Sequence, residues 1–373
     1  MSDAELLAEM RLLRPDGKIF GGADALLEIA REFWCLWPIR LLAQFTFIER
    51  LLHASYRWVA RHRHCAGGTC QLDAAQKAPA TLRKTNRLLD YLPLLILPLL
   101  ALTLRPQLPA WVFMWAMAFA LYAGCKWLTY RIASRTSLAV HPAMKLGYLF
   151  AWPGMKGTQF FDRKERVAKP GMTEWAYAIG KIIFGWFLLY SVTRVALPAH
   201  PLLGGWLGMT GIVFILHFGI FHLLSLAWRS RGVNAMPIMK NPLMAETIAN
   251  FWGVRWNTAF HELAFRFIFR PACRRTQPDA AMLAVFGLSG AIHELVISLP
   301  ARGGYGLPFL YFLIQGLGVI FERNWLPPGT NFRANFYKRL FALVIIIAPA
   351  PWLFHPPFIH NVILPMLTAI GAT

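Results

Sequence analysis

Near the middle of a long apolar run, Met282–Arg302 (MLAVFGLSGAIHELVISLPAR), stand two residues that can exchange protons, His293 and Glu294. A carboxylate at the centre of a membrane helix costs roughly 2.5–3.5 kcal/mol on insertion scales, so an ionisable pair placed there points to function. A neutral imidazole titrates close to working pH and is the usual group for removing a hydroxyl proton. Set against this, a lone histidine in a packed helix is more often one bonded to a neighbour. Three features favour chemistry: Gly287 and Gly290 admit a close neighbour, Ser289 lies one turn before His293 on the same side, and an amide-bearing segment precedes the run. Glu294 is expected to orient a partner or to pair with an arginine such as Arg255. Neither His-Glu-Leu site extends to a zinc-protease HExxH, because Phe265 and Ile297 stand where the second histidine would be.

The preceding segment is Asn250–Asn257, NFWGVRWN, with Asn257 36 residues before His293. From Glu246 to Phe269 the spacing of Phe251, Trp252, Trp256, Ala259, Phe260, Leu263, Phe267 and Ile268 predicts one half-buried helix. Its polar stripe would hold Asn250, Asn257 and His261, and Arg255, Arg266, Arg270, Arg274 and Arg275 would form a basic flank. Such a helix lies along a membrane interface and can aim Asn257 into a cavity while arginines meet an anion.

The 373 residues are 57% hydrophobic and 15% charged, which excludes an ordinary soluble protein. A formal charge of +20 raises nucleic acid as a partner, but the cations fall in loops between apolar segments, so no nucleic acid is expected. Apolar segments recur at 88–104, 109–128, 176–197, 202–228, 281–299, 306–321, 336–354 and 358–370. The fold class expected is mainly α: a polytopic membrane protein with roughly eight transmembrane helices, interfacial helices and a small α/β N-terminal part. Basic residues gather after the second, fourth and sixth segments (Lys126 to Lys169, Arg229 to Arg275, Arg323 to Arg339), which puts those loops and both termini in the cytoplasm. That is the topology of an integral protein of a bacterial inner membrane.

Residues 1–75 are less apolar. Glu9–Gly21 alternates about Pro15-Asp16-Gly17, which predicts a hairpin, and ADALLEIAREF then predicts an amphipathic helix. Trp37–Ala60 carries Arg40, Glu49, Arg50 and Arg57, which favours a packed or interfacial helix over a span. The five cysteines are odd in number and scattered, so no disulfide framework is expected. Cys65 and Cys70 near His62 and His64 match no common zinc spacing, and no metal is expected. Residues 76–87 are a basic linker.

Two resemblances follow from these stretches. RPDGKIFGGADALLEIAREF, WPIRLLAQF and YRWVARHRHCAGGTC resemble the C-terminal half of the DCC family of thiol-disulfide oxidoreductase-like proteins, whose fold is thioredoxin-related. That family's dithiol motif is absent, so residues 1–75 are expected to be a truncated module. Residues 88–373 resemble the membrane-bound O-acyltransferase superfamily, and within it the wax synthase-like branch. The match rests on Phe251-Trp252-Gly253-Val254-Arg255-Trp256-Asn257, Arg270-Pro271, the Ser289-Gly290 and His293-Glu294-Leu295 pair of motifs, and Trp152-Pro153-Gly154-Met155. The resemblance implies transfer of a fatty acyl group from acyl-CoA to a lipid alcohol, with His293 as general base and Asn257 positioning the thioester or its oxyanion. It places Trp252, Arg255, Trp256, Ser289 and Glu294 about the substrates, with membrane lipids as surroundings and no tightly bound cofactor. A sterol, diacylglycerol or secondary-metabolite acceptor stays open. A transporter with an intramembrane His-Glu relay and a membrane-anchored redox protein are the competing classes, the latter needing a reactive dithiol.

Overall fold

A computed structural model describes residues 11–13, 19–21, 24, 25, 28, 88–136, 140–162, 167–326 and 332–373. The chain divides into two compact units, 1–81 and 82–373. In the first, β1 (Arg11–Leu13) pairs antiparallel with β2 (Ile19–Gly21), Leu12 opposite Phe20, which is the hairpin the alternation predicts. Asp24, Ala25 and Glu28 are helical, as expected of the segment that follows. The Pro15–Gly17 turn, the helix expected over Trp37–Ala60, Cys35, Cys65, Cys70 and the linker 76–87 lie outside the described residues.

The second unit is helical. In chain order it contains α1 (Leu88–Thr103), α2 (Ala110–Thr136), α3 (Pro142–Phe150), α4 (Gly157–Phe161), α5 (Met172–Ala196) and α6 (Pro201–Ser230). There follow the short α7 (Ile248–Asn250), α8 (Thr258–Ala264), α9 (Pro278–Ala301), α10 (Leu307–Trp325), α11 (Phe332–Ile347) and the C-terminal α12 (Leu364–Ala369). Five helices among the described residues are long and apolar enough to cross a membrane: α2, α5, α6, α9 and the stretch Asn335–Leu353. The protein is therefore a mainly α, polytopic membrane protein. The other three of the eight apolar segments differ for physical reasons. Leu88–Thr103 has 16 residues and contains Pro93 and Pro98, α10 carries Gln315, Glu322 and Arg323, and the last segment is a short helical run after His355 with the π-turn Ile359–Ile363 inside it.

Small residues set the helix spacing. A β-carbon on Gly124 would lie 2.5 Å from Leu94 Cα, which fixes α1 against α2. One on Gly185 would lie 2.7 Å from the Gly211 carbonyl, fixing α5 against α6, and one on Gly290 would lie 2.8 Å from Phe309 Cα, fixing α9 against α10. Close backbone approach through small residues is how helices pack where no hydrophobic gain separates protein from lipid. At the start of α1, buried Asp90 accepts from Arg131 at 3.0 Å and also pairs with Arg135, both on α2. Lys126, expected in a loop, is instead inside α2 and buried.

The helix expected over Glu246–Phe269 is two helices. Trp256 is extended (φ −104°, ψ 123°) and Asn257 is left-handed (φ 43°, ψ 57°), so the direction changes between α7 and α8. Asparagine tolerates that conformation better than most residues because its short amide can bond locally. Asn250, Asn257 and His261 consequently do not form one stripe.

Candidate active site

Helix α10 acts as a frame on which the motif residues are hung. At its start, Glu294 Oε1 accepts from the backbone N–H groups of Gly306 and Phe309, both at 3.0 Å. A carboxylate there satisfies donors that the first helical turn leaves unpaired and complements the helix dipole. Glu294 thus serves α10, and it is not paired with Arg255. One turn along, the Phe312 ring lies 4.3 Å from the His293 ring and 5.5 Å from that of Trp252. Gln315, with no exposed surface, accepts from Trp252 Nε1 at 3.2 Å and donates to the Ile345 carbonyl at 2.7 Å. Near the far end, Glu322 Oε2 accepts from Ile248 N at 2.8 Å and so holds the start of α7. His293 and the Phe251–Asn257 motif are related through this one helix, and sequence periodicity alone passes over Phe312, Gln315 and Glu322. A signal for Gln315 and Glu322 exists: each is a polar residue in an apolar stretch, the feature that singles out His293.

The His293 ring has a defined tautomer. Its Nδ1 lies 2.7 Å from the Ser289 carbonyl, and a carbonyl only accepts, so Nδ1 carries the hydrogen and donates it. In the neutral ring Nε2 then bears the free lone pair, and Nε2 makes no hydrogen bond among the described residues. The Ser289 hydroxyl donates to Val285 O at 3.0 Å within its own helix, so Ser289 serves His293 through its backbone and not its side chain.

The Phe251–Asn257 motif closes on itself. Thr247 caps α7 by accepting from Asn250 N, and Trp256 N reaches back to Phe251 O at 2.8 Å. Arg255 is a staple of this turn: its Nε donates to Asn250 Oδ1 at 2.6 Å and its Nη1 to the carbonyls of Lys240 and Asn241. Trp256 stacks on Phe251, with centroids 5.5 Å apart, and packs edge-on to Phe218, which makes it a wall. Trp252 packs between Phe286 and Phe312. Asn257 N approaches Met239 Sδ at 3.2 Å, while its side-chain amide makes no hydrogen bond among the described residues. An amide held on a strained backbone with its N–H groups free can serve a ligand. His261, on the first turn of α8, sits beside Gly253, and burial pushes its pKa below the usual histidine value.

The Trp152–Met155 turn is fixed by three side chains that take its carbonyls. Trp228 Nε1 donates to Ala151 O at 2.9 Å, Tyr122 OH to Trp152 O at 3.2 Å, and Lys126 Nζ to Gly154 O. Lys126 also stands 3.4 Å above the Tyr148 ring. A buried lysine without a carboxylate is tolerable where a carbonyl and a π-face stand around its amine in this way.

Residues 235–314 match the family described as membrane bound O-acyl transferase family. Among curated proteins, the chain is 26% identical over 203 residues to probable long-chain-alcohol O-fatty-acyltransferase 3 of Arabidopsis thaliana, covering 49% of this chain and 56% of that one. It is 29% identical over 153 residues to diacylglycerol O-acyltransferase 1B of Glycine max, covering 40% and 27%. To acyl-CoA--sterol O-acyltransferase 1 of Arabidopsis thaliana it is 26% identical over 163 residues, covering 39% and 47%. The chain spans about half the length, or less, of the curated relatives it matches. The stretch that carries Asn257, His293 and the start of α10 is the stretch over which this chain is similar to the membrane bound O-acyl transferase family.

Proposed function

We propose that the protein transfers a fatty acyl group from acyl-CoA to the hydroxyl of a lipid alcohol, forming a wax-type ester. The observation that carries this reading is the His293 tautomer: Nδ1–H is committed to the Ser289 carbonyl, which leaves the Nε2 lone pair for a substrate proton. His293 Nε2 takes the proton of the acceptor hydroxyl as its oxygen attacks the thioester carbonyl. The Asn257 amide donates to the oxygen on which negative charge develops, a contribution of about 3–4 kcal/mol for preorganised donors. Collapse of the tetrahedral species expels the thiolate, which recovers the proton from the imidazolium, so the enzyme ends unchanged and no covalent intermediate forms. Trp252 and Trp256 shape the pocket, Arg255 and Glu294 hold the turn and helix that frame it, and no tightly bound cofactor is required. On this reading the basic loops face the cytoplasm of an inner membrane, where the soluble donor is found. Residues 1–75 are a thioredoxin-related module without a dithiol and take no part in the transfer.

The test is to incubate membranes containing the protein with labelled acyl-CoA and a panel of long-chain alcohols. A sterol and a diacylglycerol are included because relatives are named for those acceptors. His293→Ala is expected to abolish ester formation at an unchanged protein level, and retained turnover removes His293 from the chemistry.

A further inference from the structure

One open cleft in the second unit lies between the Met155–Thr158 turn and α8 with its continuation, and neither His293 nor Asn257 lines it. Met155, Leu263 and Phe267 give it an apolar side, and Lys156, Thr158 and Arg266 a polar one. The turn side is rigid, because its preceding carbonyls are held by Trp228, Tyr122 and Lys126 and because Gly157 abuts Ala133, with a β-carbon there 2.7 Å from the Ala133 β-carbon. Such a wall cannot collapse inward to fill the space.

The charges are unbalanced. Lys156 Nζ lies 3.2 Å from Glu262 Oε2, but both side chains are well exposed (49% and 38%), and water screens a pair of this kind so that it is easily exchanged. Arg266 makes no ion pair among the described residues, and its guanidinium lies against the Phe267 ring, 5.7 Å from the centroid. Lys156 and Arg266 are thus two cations facing one carboxylate, Glu262. A planar guanidinium beside an ammonium and a threonine hydroxyl, over apolar side chains, suits a tetrahedral anion carrying an organic group.

We propose that this cleft binds a phosphate ester between Arg266 and Lys156, displacing or sharing the Lys156–Glu262 pair. Two sources carry that chemistry: the headgroup of an anionic phospholipid, and the nucleotide end of the acyl donor, the second of which rests on the acyl-transfer reading. Arg266 is nine residues beyond Asn257, about 14 Å along the helix, so an occupant also braces the helix that Asn257 begins.

The experiment uses the full chain in phosphatidylcholine nanodiscs. Binding of adenosine 3′,5′-bisphosphate is measured directly in one arm, and retention of a fluorescent phosphatidylglycerol against neutral lipid in the other. At least one probe should bind, more weakly as salt rises. Arg266→Gln should weaken that binding tenfold or more, Arg266→Lys should recover part of it, and Glu262→Gln should tighten it several-fold by removing the competing carboxylate. Binding of neither probe, unchanged binding in Arg266→Gln, or equal or weaker binding in Glu262→Gln overturns the proposal. No turnover is read, so failure of the acyl-transfer reading leaves these results intact, and His293→Ala should bind as the parent does.

Discussion

Gln315 bridges two helices, and the energetic link it makes can be measured. Its Oε1 accepts from the Trp252 indole and its Nε2 donates to Ile345 O, a carbonyl whose helical donor four residues on would be Pro349, which has no N–H. Gln315→Leu therefore strands one buried donor and one buried acceptor, each at about 1–3 kcal/mol, for about 2–6 kcal/mol in all. Trp252→Phe strands only Gln315 Oε1, about 1–3 kcal/mol, and thins the packing on Phe286 and Phe312. In the double variant the indole–amide bond is absent from both sides and only the Ile345 carbonyl is left unpaired, so the single effects should overshoot the combined one by about 2 kcal/mol or more. The assay is reversible denaturant unfolding of the full chain in detergent micelles, with all four proteins of the cycle compared. Additivity to within about 0.5 kcal/mol would refute the claim that α10 holds the Phe251–Asn257 motif through this contact.

Three further outcomes follow from the geometry. Asn257→Ala should lose about 1–2 kcal/mol of stability for a left-handed residue while Asn257→Gly loses little, yet both should lose ester formation if the amide acts on the substrate; unfolding and turnover measured side by side separate backbone from side chain, and an active Asn257→Gly contradicts the assigned role. Gly290→Ala drives a β-carbon to 2.8 Å from Phe309 Cα and should destabilise by about 1–3 kcal/mol. Gly287→Ala, whose nearest atoms would be 3.9 Å away, should be close to neutral, and equal thermal shifts would show that α9 and α10 are not in contact as described. His355, fully buried, takes the Phe358 N–H on Nδ1 and meets Ser298 Oγ through Nε2, and burial lowers its pKa against a weaker opposing pull from Glu294. Because the unfolded chain then binds the proton more readily, stability should fall as pH drops below 6.5, and His355→Gln should flatten that dependence; an identical acid profile in the variant excludes His355 as its source.

The hairpin, the five spans and the tight packing at Gly290 were legible because each rests on a local rule: alternation, apolar length, or a small residue beside a helix. What one strand of sequence does not carry is the partner. Ser289 reads as a hydroxyl facing His293, yet the span supplies Val285 O as a nearer acceptor and leaves the backbone carbonyl to the imidazole. Arg255 reads as a cation for an anionic substrate, yet the fold of 240–257 puts three oxygens in its reach. The apolar spacing from Glu246 to Phe269 fits one helix so well that the turn at Trp256–Asn257 is hidden, although an asparagine at the break was itself a cue. Glu294 stands next to His293 in sequence and serves a different helix, because adjacent residues on a helix point about 100° apart.

Directly after His293 the backbone widens into a π-helical turn, Glu294–Ser298, before α9 resumes at Leu299. One residue is thereby slipped into the winding, and the two halves of the span are out of phase by about 100°. A helical wheel drawn through the whole span would assign the wrong side to everything from Leu299 onward. The deletion of a single residue between 294 and 298 would let this wide turn close to ordinary winding, so that one helical wheel then runs through the whole span while the imidazole keeps its place relative to the loop at Arg302–Gly306.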